Sequence, residues 1–495
     1  MPHKVFEIDE ILRPIAEYVV DLDGSSAIAF ACCCKMFEEP TLSLVWEDQH
    51  LDKLASILPE GVFKRSGHPK SPYYVRAASR KPSSPALTCD VLQALIRLPT
   101  QEERDRLLRY ASWIKRIAGV ITRRFNAFFE ILQSSSPTET PFPNLRALGL
   151  WIYPELLRFL PLFLSPRMIT FSVSVYPDAS FDSNTMERDY LATTAAALPT
   201  SLRELTLRVN TSGLGSVEFK QEVPAIIQRC GQTLTHLEID TELPDATVRR
   251  VMELPNLRTW NIYRSPLPAT LTPSSDTTMY LPALHSLALS VASTYDWVAF
   301  LASSYPALNG IHSTLTELNL RGHYPVNPAL IARICAFKNL TRLAVGWFCP
   351  YEECGFTVAD DDLSHLSLAL PRLELLMLGH QCNKNTCRTT FRSLLFLSAR
   401  CPKLASLSIH FNTMKIAQDV ESIFETGDPV IKELRESPTR CRVGTLAVAR
   451  TPLSLEGSNE FDVVKKGFLN VFPQLRDISR ERGRAWQCLT EVLRK

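Results

Sequence analysis

Leu315-Thr316-Glu317-Leu318-Asn319-Leu320 is one copy of a phrase (leucine, two residues, leucine, one residue, leucine) that recurs along most of this chain. The same spacing returns at Leu145-Leu148-Leu150, Leu202-Leu205-Leu207, Leu234-Leu237-Ile239, Leu257-Trp260-Ile262, Leu284-Leu287-Leu289, Leu340-Leu343-Val345, Leu373-Leu376-Leu378, Leu404-Leu407-Ile409 and Val443-Leu446-Val448. A degenerate copy stands at Met168-Phe171-Val173 and a fading one at Leu475-Ile478. The fourth and sixth positions alternate with polar ones at period two, so they point to one face of a short strand and bury there. Pro143, Pro255, Pro282, Pro371, Pro402 and Pro473 each precede a copy. A residue with fixed φ and no N–H suits the turn that delivers the chain into a strand.

Successive copies start 23 to 39 residues apart, more than a strand needs. The gaps carry helical patterns such as Glu222-Val223-Ala225-Ile226-Ile227 and Phe391-Leu394-Leu395-Leu397. One strand and one helix per repeat is the leucine-rich-repeat unit, which cannot bury its apolar face alone but shares a continuous core when stacked. The expected fold class is therefore α/β, a curved solenoid over residues 143–495 with a parallel sheet on its concave face. An ordinary doubly wound α/β domain also alternates strand and helix, but such sheets rarely return one spacing so often. In the commonest form of the motif an asparagine follows the last leucine by three residues. Here only Asn210 and Asn412 do so, which predicts an irregular solenoid.

The chain has 495 residues, a formal net charge of +2, 21% charged and 45% hydrophobic residues. That balance suits a soluble folded protein and gives no global pull toward nucleic acid or a membrane surface. No apolar run approaches the roughly 20 residues of a membrane span, and the nearest, residues 156–164, contains Arg158. The first residues lack the apolar core of a signal peptide. The 13 cysteines then suggest thiols in a reducing compartment, cytoplasmic or nuclear, where the sequons at Asn210 and Asn339 stay unmodified.

Residues 1–50 follow another rule. Val5, Ile8, Ile11, Leu12, Ile15 and Val19, then Ala27, Phe30, Ala31 and Cys34, then Leu42, Leu44 and Trp46 recur at helical spacing, which predicts three short helices broken at residues 21–25 and at Pro40. So small a module needs a partner or the next domain to complete its core. Residues 51–142 read as a helical linker or cap. Within it, Lys64-Arg65, Lys70, Arg76 and Arg80-Lys81, among prolines and serines, read as an exposed basic loop near residues 64–86 rather than a nucleic-acid patch.

Glu10-Ile11-Leu12, Ile15, Val19, then Cys33-Cys34-Lys35-Met36-Phe37, then Val45-Trp46-Glu47-Asp48 resemble an F-box. Leu107-Leu108-Arg109-Tyr110-Ala111-Ser112-Trp113-Ile114-Lys115-Arg116-Ile117 is similar to a segment that follows the F-box in many proteins of mushroom-forming fungi, where a helix precedes leucine-rich repeats. The resemblance implies docking onto a Skp-type adaptor, and through it a cullin, in a cullin-RING (SCF-type) ubiquitin ligase. It points to Ile8, Ile11, Leu12, Ile15, Cys34, Phe37 and Trp46 as adaptor-facing residues. A plain helical cap on the solenoid edge is the alternative reading of the same helices.

Catalytic signatures are missing from the sequence: it has no phosphate-cradling glycine loop, no nucleophile elbow and no H-E-x-x-H. We therefore expect no enzyme and no cofactor. Cys349, Cys354, His380, Cys382 and Cys387 are the one candidate zinc set, set against the commoner reading of free cysteines as small buried hydrophobes. Asp360-Asp361-Asp362 reads as helix capping ahead of a cation site. Cys32-Cys33-Cys34 reads as structural, with at least one thiol facing the core.

The residues between the buried leucines should project from the sheet as a recognition surface. That set comprises Glu204, Arg208, His236, Glu238, Asp240, Asn261, Tyr263, Glu317, Asn319, Arg321, Arg342 and His410, with Trp151 as a further large anchor. The expected function is target recognition for a ubiquitin ligase, with an unknown target protein as partner. A leucine-rich interaction scaffold with no ligase role is the alternative.

Overall fold

The computed structural model describes residues 9–66, 91–136, 140–176, 186–209, 222–263, 265, 267, 280–290, 294–303, 309–321, 326–346, 356–379, 388–413, 416–425, 429–436, 441–448 and 458–479. It divides into two compact units, Met1–Thr241 and Glu242–Lys495.

The first unit opens on three helices, α1 (Asp9–Leu22), α2 (Gly24–Cys33) and α3 (Lys35–Val45). Asp23 separates the first two because its carboxylate accepts from the Ser25 and Ser26 amides at 2.7 and 2.8 Å, capping α2. The second break falls at Cys34, whose backbone is extended, and not at Pro40. Pro40 instead lies inside α3, which forgoes one internal hydrogen bond there.

There follow β1 (Asp48–Gln49), α4 (Leu51–Ala55), β2 (Phe63–Ser66), β3 (Val91–Leu95), α5 (Gln101–Trp113), β4 (Arg116–Ile121), α6 (Asn126–Ser135), β5 (Ala147–Ile152), β6 (Thr170–Val175), α7 (Met186–Ala197), β7 (Glu204–Val209), α8 (Glu222–Cys230) and β8 (His236–Ile239). β2 pairs antiparallel with β3, so Lys64 and Arg65 lie on a strand. Lys70, Arg76 and Arg80-Lys81, the rest of the expected basic loop, lie outside the described residues. A 3-10 helix, Pro154–Phe163, replaces an α-helix after β5.

Strands β1, β4, β5, β6, β7 and β8 form one parallel ladder in that order. Its register is set by the phrase, since Ile117, Leu148, Phe171, Leu205 and Leu237 stand side by side, each at most 2% exposed. The ladder begins before the first phrase. Ile114, just before β4, and Ile117 on it are both buried, but Gly119 stands where the sixth-position leucine belongs. Upstream of β4, the Glu47 carbonyl accepts from the Lys115 and Arg116 amides at 2.9 Å each, so the chain leaves α3 directly into the sheet.

The second unit repeats the pattern with β9 (Thr259–Ile262), β10 (Ser286–Leu289), β11 (Glu317–Leu320), β12 (Arg342–Val345), β13 (Leu375–Leu378), β14 (Ser406–Ile409), β15 (Thr445–Val448) and β16 (Asp477–Ser479), each parallel to the next. The helices are α9 (Asp245–Met252), α10 (Thr294–Leu301), α11 (Asn309–Thr314), α12 (Pro328–Ile334), α13 (Asp360–Ala369), α14 (Phe391–Arg400), α15 (Ile416–Glu425), α16 (Pro429–Glu436) and α17 (Ser458–Val471). Trp260, Leu287, Leu318, Leu343, Leu376, Leu407, Leu446 and Ile478 align across the strands and are all buried. Burying each contributes about 1.5–3 kcal/mol.

Two bonds recur from repeat to repeat. The amide of the first leucine closes a turn onto the carbonyl three residues earlier, as in Leu145 to Phe142, Leu284 to Leu281, Leu340 to Phe337 and Leu404 to Cys401. The carbonyl of the next residue then accepts two consecutive amides of the following repeat. Thr316 O takes Thr341 N and Arg342 N, and Thr341 O takes Glu374 N and Leu375 N. Polar side chains just before the phrase brace the same junction. Asn339 Nδ2 donates to Ser313 O at 2.7 Å while its Oδ1 accepts from Arg372 Nη1 at 2.9 Å. Asn144 does the same between Ser112 O and Arg167.

Candidate functional site

Because side chains alternate along a strand, the residues between the buried rungs stand in rows on the opposite face. In the first unit one row is Thr170, Glu204 and His236, and the next is Ser172, Thr206 and Glu238. The third sets Trp151 beside Ser174 and Ser174 beside Arg208. Thr170 Oγ1 donates to Glu204 Oε2 at 3.0 Å. Arg208 donates from Nε to Glu238 Oε1, and His236 Nε2 lies 3.9 Å from the other carboxylate oxygen. Burying a carboxylate is costly unless it is paired, so Glu238, whose side chain is 5% exposed, is held by a guanidinium that stays 42% exposed. The pair fixes Arg208 in the third row. Nearby Trp151, 36% exposed, packs on Tyr176 with ring centroids 5.4 Å apart, and Tyr176 packs on Tyr153 at 5.6 Å. An aromatic ledge thus stands two strands from an oriented arginine in the same row, the residue types that dominate interface energies.

In the second unit the first row runs Thr259, Ser286, Glu317, Arg342, Leu375, Ser406, Thr445 and Asp477. Glu317 accepts from Ser286 Oγ at 3.2 Å and pairs with Arg342 at 3.4 Å. The second row, Asn261, Ala288, Asn319, Ala344, Met377, Ser408, Ala447 and Ser479, is built mostly of small side chains. Just past the strands come Tyr263, Arg321, Gly346, Gly379 and His410. Gly379 has φ +63, and a Cβ there would meet the Phe356 ring at 2.9 Å. That ring also packs edge-on against His410, with centroids 5.9 Å apart.

Most expected contact residues therefore lie on the polar rows or at their ends, half-buried or exposed. Two need correction. Glu238 lies beneath Arg208, and His410, 1% exposed, is covered beside Phe356, so neither presents a surface of its own. Asp240, Asn261, Tyr263, Asn319 and Arg321 are half-buried, while Glu204 and Arg342 are exposed.

On the N-terminal helices the expected adaptor residues divide. Ile11 is exposed and Leu12 buried, while Ile15 and Cys34 are half-buried. Phe37 stacks on Phe30 at 4.5 Å and Trp46 packs on Tyr110 of α5 at 4.9 Å, so both make packing contacts within the chain while staying half-buried. Ile8 lies outside the described residues. Tyr18, Leu22 and Ile28, at 67%, 61% and 53% exposed, are large apolar side chains that the sequence reading passed over. Their signal was spacing: residues 11, 15, 18 and 22 form one stripe of α1, and Leu12 and Ala16 form the buried one.

Cys349, Cys354, His380, Cys382 and Cys387 lie outside the described residues, and among the described residues no cluster suits a metal. The aspartates cap helices in two ways. Asp362 accepts from Ala359 N at the start of α13, whereas Asp360 reaches to α14, accepting from Thr390 N at 2.8 Å, Thr390 Oγ1 at 2.6 Å and Ser393 Oγ. None of Cys32, Cys33 and Cys34 is buried, contrary to expectation, because the α2 stripe that packs inward is Ala27 and Ala31. Among the described residues Cys230, Cys401 and Cys441 are the buried thiols, and burial pushes Cys401 up to about 12.

Among the described residues no helix is long and apolar enough to cross a membrane. In comparisons with known proteins, the chain matches no family model and no curated protein.

Proposed function

We propose that this chain is the target-recognition subunit of a cullin-RING ubiquitin ligase. Its N-terminal helices dock a Skp-type adaptor, and the polar rows, on the concave side of a leucine-rich solenoid, take a target protein. The observation that carries this reading is the open stripe of α1. A helix needs one apolar stripe to pack into its own module, and α1 has Leu12 and Ala16 for that. A second stripe of Ile11, Ile15, Tyr18 and Leu22, with Ile28 of α2, has no such use. Exposed apolar clusters of this kind mark protein contacts. The F-box resemblance names the partner, and the arginine in the same row as the Trp151 ledge supports target binding on the rows. The chain performs no chemistry in this scheme. It raises the effective concentration of a target lysine near a thioester carried by another subunit.

Co-purification of the full chain with a Skp-type adaptor tests the reading. Tyr18→Asp and Leu22→Asp replace exposed side chains, so the fold should persist while each weakens capture by about tenfold or more. Equal capture by parent and variants, or no capture by the parent, would leave the scaffold without a ligase role as the better account.

A further inference from the structure

The turns before β12 and β13 and the last turns of α13 enclose an open groove of about 560 Å³, lined by Lys338, Asn339, His365, Leu368, Pro371 and Arg372. It shares no residue with the polar rows or with the N-terminal helices. Its chemistry is one-sided. Two fixed cations and a histidine face it, and no carboxylate lines it. The Lys338 ammonium has no partner among the described residues. Arg372 spends one donor on Asn339 Oδ1, which is itself anchored to Ser313 O, so the guanidinium is held in place with its other donors unpaired among the described residues. Leu368 is 60% exposed on the helix that forms one wall, with Pro371 just beyond it.

We infer that this groove docks a short acidic segment of a partner protein, its carboxylates on Lys338 and Arg372 and a large apolar side chain against Leu368 and Pro371. Charge complementarity selects the sign of the occupant. A helix C-terminus carries only about half a negative charge, which the cations outweigh. The same end offers carbonyls where a phosphate site would offer converging amides, so carboxylates fit better than a phosphate dianion. No phenylalanine, tyrosine or tryptophan ring lines the groove for bases to stack on, which disfavours single-stranded nucleic acid. The exposed leucine supplies what a purely ionic patch would lack. Arg372, already ordered by Asn339, gives up little freedom on binding.

An array of short labelled peptides permuting glutamate, glutamine, lysine, leucine and serine, probed with the full chain, tests the inference. Peptides combining glutamate with leucine should bind best, with affinity falling as salt rises. Lys338→Glu and Leu368→Asp, both at exposed positions, should each weaken those peptides by about tenfold. Unchanged thermal unfolding of the variants keeps the loss local. Equal binding of glutamine-for-glutamate peptides would overturn the inference, as would binding indifferent to both substitutions. Tighter binding of a single-stranded oligonucleotide, lost on Lys338→Glu, would also overturn it by assigning the groove to nucleic acid. Since Tyr18→Asp and Leu22→Asp leave this groove intact, its failure and that of the adaptor reading are separately visible.

Discussion

Gly467→Ala tests the packing of α17 quantitatively. Gly467 lies in α17, where a Cβ would sit 2.7 Å from Val420 Cγ1, 3.0 Å from Val420 Cγ2 and 3.4 Å from Phe391 Cζ. Two effects oppose. Alanine in a helix interior is more stable than glycine by about 0.5–1 kcal/mol. Against this, carbon atoms prefer separations of about 3.5–4.0 Å, and forcing a methylene into a packed core costs about 1–3 kcal/mol. Val420 is 3% exposed and Phe391 fully buried, so neither has room to swing away. Overpacking wins, and the variant should lose about 1–2 kcal/mol. Val420→Ala alone should cost about 2 kcal/mol by leaving a cavity. In the double variant the added methyl fills the space the valine vacates, so the combined loss should fall short of the sum by about 1–2 kcal/mol. Urea unfolding of the four proteins measures the cycle. A neutral Gly467→Ala with strictly additive losses would refute the packing argument.

Asp360→Ala should cost about 2–3 kcal/mol and loosen the start of α14, because one carboxylate takes three donors there, a result hydrogen exchange of residues 390–394 would localise. Burial pushes Cys401 to about 12 and Cys441 to about 11, so in alkali the unfolded chain ionises first. Their contribution is full below about pH 9 and lost as pH climbs through 11 to 12, at about 1.4 kcal/mol per pH unit per thiol. Urea titrations at rising pH should show this slope, and Cys401→Ala should flatten it. Glu103 has the opposite sign. Its hydrogen bond from Arg97, with those at the Thr100 cap, lowers it to about 2, so its support is present above the ordinary carboxylate range and lost as pH falls through about 2. Glu103→Gln should therefore be less stable than the parent at neutral pH and equal to it near pH 2, read by thermal unfolding.

The strands were legible because one spacing encodes both the period-two burial and the register. Leu287, Leu318 and Leu343 are neighbours in space for the reason they are homologous in sequence. The first two strands of the parallel ladder were not legible. Gly119, with φ +149, removes the sixth-position side chain from β4, and β1 is only two residues long. Pro40 misled because proline is a poor helix residue, whereas the actual break at Cys34 carries no sequence mark. The polar rows followed from alternation, but which members are accessible did not. Glu238 is covered by Arg208, from a strand 30 residues away in sequence, and His410 packs beside Phe356, from a loop two repeats earlier. Alternation fixes a direction; cover depends on neighbours that only stacking brings together.

The doubled amide bond that recurs at the junctions from β9 to β14 makes those units interchangeable. Thr341 N and Arg342 N meet Thr316 O just as Thr316 N and Glu317 N meet His285 O. Excising residues 315–339 would set Leu340 where Leu315 had been, hand the His285 carbonyl two new amides of the same geometry, and slide Leu343 beside Leu287. Such an array can shorten or lengthen by whole modules during its history without redesigning what remains, while the pattern of charges it shows to other molecules changes each time.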